Sequence, residues 1–458
     1  MKDNIYKLAP HWFQEFMIGL YNKKAYKKRY GSEYKKFLTQ FKERENLSLE
    51  ELKKIQSERY SAFLLKAVEG SSFYKKMFGN IEGFDNINNI KSLPIIHKEV
   101  FRKNIDDIVT IPESEGNISK TGGTTGKSLK VVFTLDNMQE RFAMLDNFRG
   151  RTGYELGKRT AWFSGKAILT DRDVQKNRFW KTDKASNVRY YSTFHMNGDF
   201  IEHYLADMKK FKPEYLVGFP STICEIARYG ANSGVEFPKG IVKAVFPTAE
   251  TVTEEVRSTI ENYFHTEVYD QYASSEGAPF IFECPQRELH LELQSGVFEV
   301  LDDNDQDSNY GRLIVTAFTT EGTPLIRYDI GDMIELKEGT CTCGNNNPLV
   351  NQILGRIDDY VYSPQIGKIN LGNVSNSLKN TYGIALFQVV QNELDKITIN
   401  MVIDDKLYTD KVERIFLSNW RDRVGQQMQI ELKKVEDIPV EKSGKFRMVK
   451  NNIKHLLS

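Results

Sequence analysis

The feature that most constrains the fold is a run rich in glycine, threonine and lysine, S-K-T-G-G-T-T-G-K-S, at residues 119–128. Glycines let a backbone bend so that its N–H groups converge on phosphate oxygens, and hydroxyls and Lys127 add further donors. The segment before the run, ESEGNISK, is polar, whereas the segment after it, LKVVFT, is typical of a strand. A simple turn needs fewer residues of this kind. The run therefore predicts a phosphate-binding loop that joins two strands.

The same run is almost a Walker motif, G-x-x-x-x-G-K-[ST], but Thr121 stands where the first glycine would be. A Walker loop leaves a buried strand and enters a helix, and neither flank fits that description here. A P-loop ATPase, which would hydrolyse ATP without any acid, is therefore the less favoured alternative.

Length and charge exclude several classes of protein. The 458 residues predict roughly three structural units at about 150 residues each. Lys and Arg number 63 against 62 Asp and Glu, so the chain lacks the basic surplus of a nucleic-acid-binding protein. It has no apolar run near the roughly 20 residues that span a bilayer, and no secretory signal pattern. With four cysteines, a disulfide framework is not expected. We expect a soluble cytoplasmic enzyme.

Residues 1 to about 80 predict helices, because long stretches lack proline and apolar residues recur every three or four positions. This segment is also basic: Lys23, Lys24, Lys27, Lys28, Arg29, Lys35 and Lys36 lie close together. Two interpretations stay open. The lysines form a solvated helix face, or they form a surface for an anionic partner such as a phosphorylated lipid or glycan, with peripheral membrane contact.

The rest of the chain predicts an α/β multidomain protein. Strands at 131–134, 215–218, 242–246 and 267–269 alternate with helices at 200–211, 221–232 and 253–264. Residues 290–336 are β-rich with Asp, Asn and Gly turns. After Gly355 a small α+β unit follows, with strands FQVVQ, KITINMVI and QIELKKV and a helix at 408–424.

Five segments after the glycine-rich run carry a family resemblance. They are F-P-T-A-E at 246–250, Y-D-Q-Y-A-S-S-E at 269–276, I-R-Y-D-I-G-D at 326–332, G-R-I-D-D at 355–359 and P-V-E-K-S-G-K-F-R at 439–447. Together with the run, and in this order, they resemble the adenylate-forming superfamily of acyl- and aryl-CoA ligases. L-P-I-I-H-K at 93–98 and Y-L-V-G-F-P-S at 215–221 resemble its phenylacetate–CoA ligase branch, including the homologues from capsular-polysaccharide loci.

The resemblance implies roles for individual residues. Lys445 is expected to be catalytic, Glu276 to be catalytic and associated with Mg²⁺ on ATP, and Asp358 to be the hinge. Asp332 and Arg356 are expected to hold the ribose. The full set of expected ATP- or AMP-binding residues is Thr121, Gly122, Gly123, Thr124, Thr125, Gly126, Lys127, Ser128, Ala249, Glu250, Tyr272, Ser275, Asp332 and Arg356. Taken one at a time, Glu276, Asp332 and Lys445 could be ordinary surface residues. Their motifs occur in the order that the superfamily has, and this favours a functional role for them.

The resemblance also implies a domain division and a substrate class. Residues 91–354 are expected to form the large AMP-binding domain, with helical residues 1–90 as part of it, and residues 355–458 a small mobile domain. The substrates are a small-molecule carboxylic acid and ATP. Superfamily members that make CoA thioesters usually continue after the hinge with Val/Ile-x-Pro-x-x-Ile-Glu, whereas this chain reads D-Y-V-Y-S-P-Q-I-G-K-I-N at 359–370. We therefore expect an acceptor amine or hydroxyl, on a sugar in surface-polysaccharide biosynthesis. CoA as acceptor and a non-catalytic adenylate-binding protein are the alternatives.

Three cysteines and one histidine predict a metal site. Cys284-x5-His290 and Cys341-x-Cys343 together supply the four ligands of a tetrahedral zinc ion and leave no open position, as in a structural site. The alternative is that these are incidental reduced thiols, although the polar segment around Cys341 is a poor place to bury cysteine for packing. Cys224 falls in a predicted amphipathic helix and is expected in the core. His195 is a candidate for the acid pocket.

Overall fold

The part of the chain that the computed structural model describes comprises residues 6–79, 82–120, 129–196, 198–356, 359–370, 376–378, 381, 383–405, 407–441 and 446–457. Of the residues predicted to be functional, Thr121–Ser128, Asp358 and Lys445 lie outside these ranges.

The helices and strands alternate along most of the sequence. The helices are α1 His11–Arg29, α2 Ser32–Glu43, α3 Leu49–Gly70, α4 Ser72–Phe78, α5 Lys98–Lys103, α6 Ile105–Ile108, α7 Leu135–Gly150, α8 Asp171–Val174, α9 Gly198–Phe211, α10 Pro220–Asn232, α11 Glu254–Phe264 and α12 Asp410–Val424. The strands are β1 Asn117–Lys120, β2 Lys130–Phe133, β3 Thr160–Ser164, β4 Trp180–Asp183, β5 Val188–Ser192, β6 Tyr215–Gly218, β7 Ala244–Pro247, β8 Gln271–Ala273, β9 Phe280–Glu283, β10 Leu289–Leu291, β11 Gly296–Leu301, β12 Tyr310–Ala317, β13 Leu325–Lys337, β14 Leu349–Arg356, β15 Tyr360–Ser363, β16 Gly367–Asn370, β17 Ile384–Gln391, β18 Lys396–Ile403, β19 Gln429–Lys434 and β20 Val449–Asn451.

The chain divides into two units. The first unit contains the residues up to Gly19, Gly157–Val268 and the residues from Ile353 onward, and the second contains Leu20–Leu156 and Tyr269–Gln352. A five-stranded sheet in the order β4-β5-β3-β6-β7 lies in the first unit. Strands β5, β3, β6 and β7 run parallel, and all four residues of β6 are buried, as a central parallel strand requires.

Helices α10 and α11 complete this α/β region. Helix α10 begins with Pro220 in its first turn and buries Cys224 together with Ile223 and Ala227, so the core position expected for that cysteine is confirmed. Thr253 caps α11 by accepting from the backbone N–H of Val256. The predicted strand at 267–269 is wrong, because only Val268 pairs, in a single parallel bridge to Val245.

The C-terminal part of the first unit has its own sheet and core. Its four strands are ordered β19-β18-β17-β20, with β20 parallel to β17. Helix α12 contributes fully buried Phe416, Trp420 and Val424 to a core shared with Phe387 of β17. The predicted C-terminal α+β region is therefore confirmed as a distinct domain.

The second unit contains a seven-stranded sheet, ordered β11-β12-β13-β14-β10-β9-β8, and a separate hairpin, β1-β2. The hairpin pairs Lys120 with Lys130 in antiparallel register, which confirms that the glycine-rich run joins two strands. Helices α2 and α3 confirm the helical character predicted for the N-terminal segment. Among the helices described in either unit, none is both long enough and apolar enough to span a bilayer.

Candidate active site and metal centre

In the first unit, the loop after β7 leaves the sheet beside the carboxyl end of β6. Gly218 has a φ of +139°, and a Cβ there would lie 1.8 Å from the carbonyl oxygen of Phe163, so only glycine fits. The Gly218 carbonyl accepts from the backbone N–H of Thr248 at 2.9 Å. Ala249 then takes a φ of +66°, which is unusual for a residue with a Cβ. This backbone turn presents Glu250. The carboxyl ends of parallel strands are where open α/β sheets bind ligands.

The Glu250 carboxylate joins two elements of the first unit. Its Oε2 accepts from the backbone N–H of Ser221 at 3.1 Å, in the first turn of α10. Its Oε1 accepts from the backbone N–H of Phe446 at 2.7 Å. Phe446 directly follows Lys445, so Glu250 holds the chain at the residue next to the predicted catalytic lysine. The sequence predicted Glu250 only as part of the adenine loop.

In the second unit, Glu276 is buried, and only one of its two carboxylate oxygens accepts a hydrogen bond from the described residues. Its Oε2 accepts from the Ser274 hydroxyl at 2.9 Å, and its backbone N–H donates to the same hydroxyl at 3.0 Å. Its Oε1 is also buried and has no hydrogen-bond partner among the described residues. A buried carboxylate oxygen without a donor is costly unless a cation approaches it. This arrangement fits the Mg²⁺ association expected for Glu276.

A buried guanidinium lies in the surroundings of Glu276. Arg141 of α7 donates to the Ser274 carbonyl at 2.7 Å and stacks over the ring of Phe133, 4.3 Å from its centroid. Burial lowers the pKa of Arg141 to about 10, and the charge of Glu276 opposes that shift. No sequence motif indicated Arg141, because it lies 135 positions before Glu276, in a helix outside the segments that resemble the family.

Asp332 and Tyr272 meet in the second unit. The Tyr272 hydroxyl donates to Oδ2 of Asp332, which is buried. Gly331, with a φ of +77°, lies in a stretch of β13 where the pairing shifts between Asp329 and Met333. Such a bulge redirects the following side chain, which here is Asp332. Two residues predicted separately as nucleotide-binding are therefore in contact. Of the remaining predicted residues, Ser275 and Ala249 are exposed, and Arg356 is the last residue of β14.

Arg327, in the same motif as Asp332, has a structural role. Its guanidinium donates to both carboxylate oxygens of Glu299, Nη2 at 2.7 Å and Nε at 2.9 Å, and both side chains are buried. This bidentate pair links β11 to β13, the two strands on either side of β12.

The second unit brings the four predicted zinc ligands together. The ligand atoms of Cys284, His290, Cys341 and Cys343 all lie within 4.8 Å of one another. The Sγ atoms of Cys284 and Cys341 are 3.6 Å apart, and Cys343 Sγ is 3.4 Å from His290 Nε2. A tetrahedral zinc ion, with Zn–S of about 2.3 Å and Zn–N of about 2.05 Å, requires separations of about 3.8 Å and about 3.6 Å. The donor set and its spacing fit zinc.

Secondary-structure elements hold these ligands in place. Cys284 follows β9, where its N–H donates to the Glu288 carbonyl at 2.9 Å, and His290 lies in β10, paired with Leu349 of β14. His290 Nδ1 is 3.3 Å from the Asn347 carbonyl, which leaves Nε2 facing the thiols. Burial raises the pKa of the Cys284 thiol to about 12 and lowers the pKa of His290. A metal ion would take the place of the thiol protons.

Comparison with known proteins agrees with this geometry. Protein CapK of Staphylococcus aureus is 32% identical over 459 residues, covering 99% of this chain and all of that protein. The chain belongs to the CapK family. The model of the CapK C-terminal domain matches residues 361–452. A phenylacetate–coenzyme A ligase of Thermus thermophilus is 23% identical over 69% of this chain and 73% of its own length.

The fold of this CapK-family protein is also that of a solved structure. A 2-hydroxyisobutyryl-CoA ligase in complex with an acyl-AMP superposes with a TM-score of 0.73 at 16% identity, covering 90% of this chain and 92% of that one. The α/β architecture predicted for the chain is therefore confirmed, and both this solved structure and the Thermus relative are acid–CoA ligases, the class that the sequence motifs resemble.

His195 of this CapK-family protein follows β5 in the first unit. Its Nδ1 is 2.8 Å from the Ser192 hydroxyl, and its ring packs against Phe179 with centroids 5.8 Å apart. Burial lowers the pKa of His195, so the neutral imidazole is favoured. Its place in an acid pocket stays a prediction.

Proposed function

We propose that this protein is an ATP-dependent, AMP-forming ligase that activates a carboxylic acid to an acyl-adenylate, releases pyrophosphate, and transfers the acyl group to an amine or hydroxyl. The acceptor group lies on a sugar used in surface-polysaccharide biosynthesis, in the cytoplasm. The observation that carries the adenylation half is the buried Glu276 oxygen that lacks a hydrogen-bond partner among the described residues, within a segment that resembles the ATP-binding element of the superfamily.

The chemistry requires positioned positive charge rather than proton transfer. A carboxylate oxygen attacks the α-phosphorus of ATP, and the bond from that phosphorus to the α,β-bridging oxygen breaks, so that pyrophosphate leaves with this oxygen. The nucleophile approaches a group that is already negative. Lys445 would contact both the incoming carboxylate and the α-phosphate, because an ammonium group offers several donors at one point. The Thr121–Ser128 loop would bind the β- and γ-phosphates through backbone N–H groups and hydroxyls.

Mg²⁺ would neutralise phosphate charge where ATP meets Glu276. The charge of Arg141 interacts with that of Glu276, and Ser274 orients the carboxylate through hydrogen bonds with Oε2 and with the backbone N–H. Asp332 would accept from the ribose hydroxyls and is itself held by Tyr272. Arg356 and the adenine loop at Ala249 would complete nucleotide binding.

The C-terminal domain supports an acceptor other than CoA. The CapK C-terminal model covers residues 361–452, and the segment that departs from the thioester-forming pattern lies at its start. In the structure this segment forms the β15–β16 hairpin, with Tyr360 paired to Asn370. The alternative is an acyl- or aryl-CoA ligase, favoured by the likeness to the Thermus phenylacetate–coenzyme A ligase.

The Cys284–His290–Cys341–Cys343 cluster is proposed to hold a structural zinc ion. Four protein ligands would fill a tetrahedral shell and leave no position for a reacting water. The ion would join the β9–β10 hairpin to the turn between β13 and β14 and would not take part in acyl transfer.

The test is acid-dependent exchange of labelled pyrophosphate into ATP, across a panel of carboxylic acids. We expect exchange with a subset of acids and none without acid. Products are then identified by mass spectrometry with amino sugars, hydroxyl acceptors or CoA. Binding of ATP without exchange for any acid would favour a non-catalytic adenylate-binding protein, and robust acyl-CoA formation would favour the CoA-ligase alternative.

A further inference from the structure

The outward face of α1 carries an apolar stripe that continues as a basic stripe. Trp12, Phe16 and Leu20 are 67%, 54% and 53% exposed, and their four-residue spacing places them along one side of the helix. Lys23 and Lys27 follow Phe16 and Leu20 by seven residues, about two turns, so they lie on the same side. Both lysines are exposed. A soluble helix normally turns its large apolar side chains inward.

The opposite face at the start of α1 is already fixed within the first unit. Lys181 is fully buried, and its ammonium is 2.9 Å from Asp173 Oδ1 and contacts the Gln14 amide oxygen. His11 Nδ1 lies 3.0 Å from the same Asp173 oxygen. Glu15 accepts from the backbone N–H of Thr182 at 2.9 Å. Breaking this cluster would leave a buried charge without its partner. The helix therefore has a defined inner face, and rotation about its axis cannot bury the exposed stripe.

We propose that α1 binds the surface of an anionic membrane, lying in the headgroup layer. Trp12, Phe16 and Leu20 insert beside the acyl chains, and Lys23 and Lys27 contact acidic headgroups. An in-plane helix with aromatic and leucine residues on one part and lysines on another is suited to this layer, where Trp is favoured. Each lysine near an anionic surface adds to binding, and salt screens the effect.

The charge distribution favours a membrane over a general electrostatic partner. The whole chain has a formal net charge of +1, so a long-range attraction of the entire protein to anions is not available. The attraction must come from the local group on α1, where Lys24 and Lys28 are exposed as well. A soluble anionic polymer would use the lysines but would leave the three apolar side chains in water. A lipid surface uses both.

The test is co-sedimentation of the full-length protein with phosphatidylcholine vesicles that contain or lack phosphatidylglycerol, at low and high salt. We expect binding only to the phosphatidylglycerol vesicles and release by salt. Lys23→Gln with Lys27→Gln should lower the partition coefficient roughly tenfold or more. Lys53→Gln with Lys54→Gln removes the same charge from exposed positions on α3 and should leave binding unchanged. Thermal unfolding followed by circular dichroism checks that each variant is folded.

Tryptophan fluorescence tests whether the apolar side chains of α1 insert into the lipid layer. Insertion of Trp12 should shift the emission to shorter wavelength on addition of phosphatidylglycerol vesicles, and Trp12→Phe should abolish the shift while co-sedimentation persists. Trp420 is fully buried and should not respond. Absence of binding by the parent protein, or equal binding to both vesicle types, would overturn the proposal. The proposal would also be overturned if sedimentation velocity showed self-association that Phe16→Ser abolishes, because a second copy of the chain would then cover the exposed face of α1.

Discussion

At the scale of single residues, the proposed chemistry depends most on Lys445. Its ammonium would be needed where negative charge accumulates in the transition state, so we expect Lys445→Ala to lower the rate of adenylate formation by about 10²–10³. The affinity for ATP should change little, because the donors of the proposed phosphate loop would still hold the nucleotide. Pyrophosphate exchange and equilibrium ATP binding measure the two effects. Adenylate formation at the parental rate would remove this lysine from the mechanism.

Glu250 is expected to act on the same step by positioning. Its two carboxylate oxygens accept from Ser221 and Phe446. Replacing the carboxylate by an amide weakens charge-assisted hydrogen bonds by roughly 1 kcal/mol and places a donor against one N–H. We expect Glu250→Gln to lower kcat for exchange by about 5–10-fold, with the KM for the acid little changed. Glu254→Gln, at an exposed position in the first turn of α11, is the matched control. Equal effects from both variants would contradict the positioning role.

At the scale of structural elements, the cysteine–histidine cluster should determine metal content and stability together. We expect the purified protein to contain close to one zinc per chain, because the four ligands form one tetrahedral set. Cys341→Ser or Cys343→Ser should lower zinc content and Tm in parallel, since a structural metal contributes to the folding free energy. Cys224→Ser, which alters a buried thiol outside the cluster, should leave zinc content unchanged. Metal-free protein prepared without chelators would contradict the assignment.

Asp146, in helix α7 of the second unit, should make the free energy of unfolding depend on pH. Burial raises the pKa of Asp146 from 3.8 to about 6, although the nearby Arg149 and the Tyr34 hydroxyl oppose the shift. The folded chain therefore binds more protons than the unfolded chain between these values. Its free energy of unfolding should fall as pH rises through this window, by roughly 2–3 kcal/mol from this group. Asp146→Asn should remove that loss. Asp136→Asn, exposed in the first turn of the same helix, should not.

Chemical denaturation of parent and variants at several pH values between about 4 and 7 measures this difference. The quantity compared is the difference in unfolding free energy between Asp146→Asn and the parent, because other groups titrate in the same range. A difference that stays constant across the window would show that Asp146 is ionised in both states.

At the scale of the whole molecule, the sequence predicted elements well where local patterns determine them. The period of apolar residues predicted α10 and α11 because one helix face is buried, and the β-branched run predicted β2. Strands β3 and β4 were not predicted, since their short segments, TAWFS and WKTD, owe their burial to neighbouring strands. The predicted domain boundaries at 90 and 355, and the hinge at Asp358, stay predictions.

The candidate site likewise contains features that the sequence could predict and features that it could not. The cluster of three cysteines and one histidine could be predicted because these residue types are typical metal ligands, and the fold brings them together. The proximity of Arg141 to Glu276, and the hydrogen bond from the Phe446 N–H to Glu250, could not be predicted. Each joins segments more than 100 residues apart, and neither arginine nor glutamate at these positions has a local pattern that indicates a partner.

In the proposed reaction, a carboxylate oxygen of the substrate attacks the α-phosphorus of ATP. The most direct test uses an acid that supports exchange, labelled with heavy oxygen in its carboxyl group, in a complete turnover with an acceptor. Adenylation followed by acyl transfer leaves one labelled oxygen on the phosphate of AMP, because the bond from the carbonyl carbon to that oxygen breaks. Mass spectrometry of AMP and pyrophosphate should therefore find label in AMP alone. Label in inorganic phosphate, together with ADP, would contradict this mechanism.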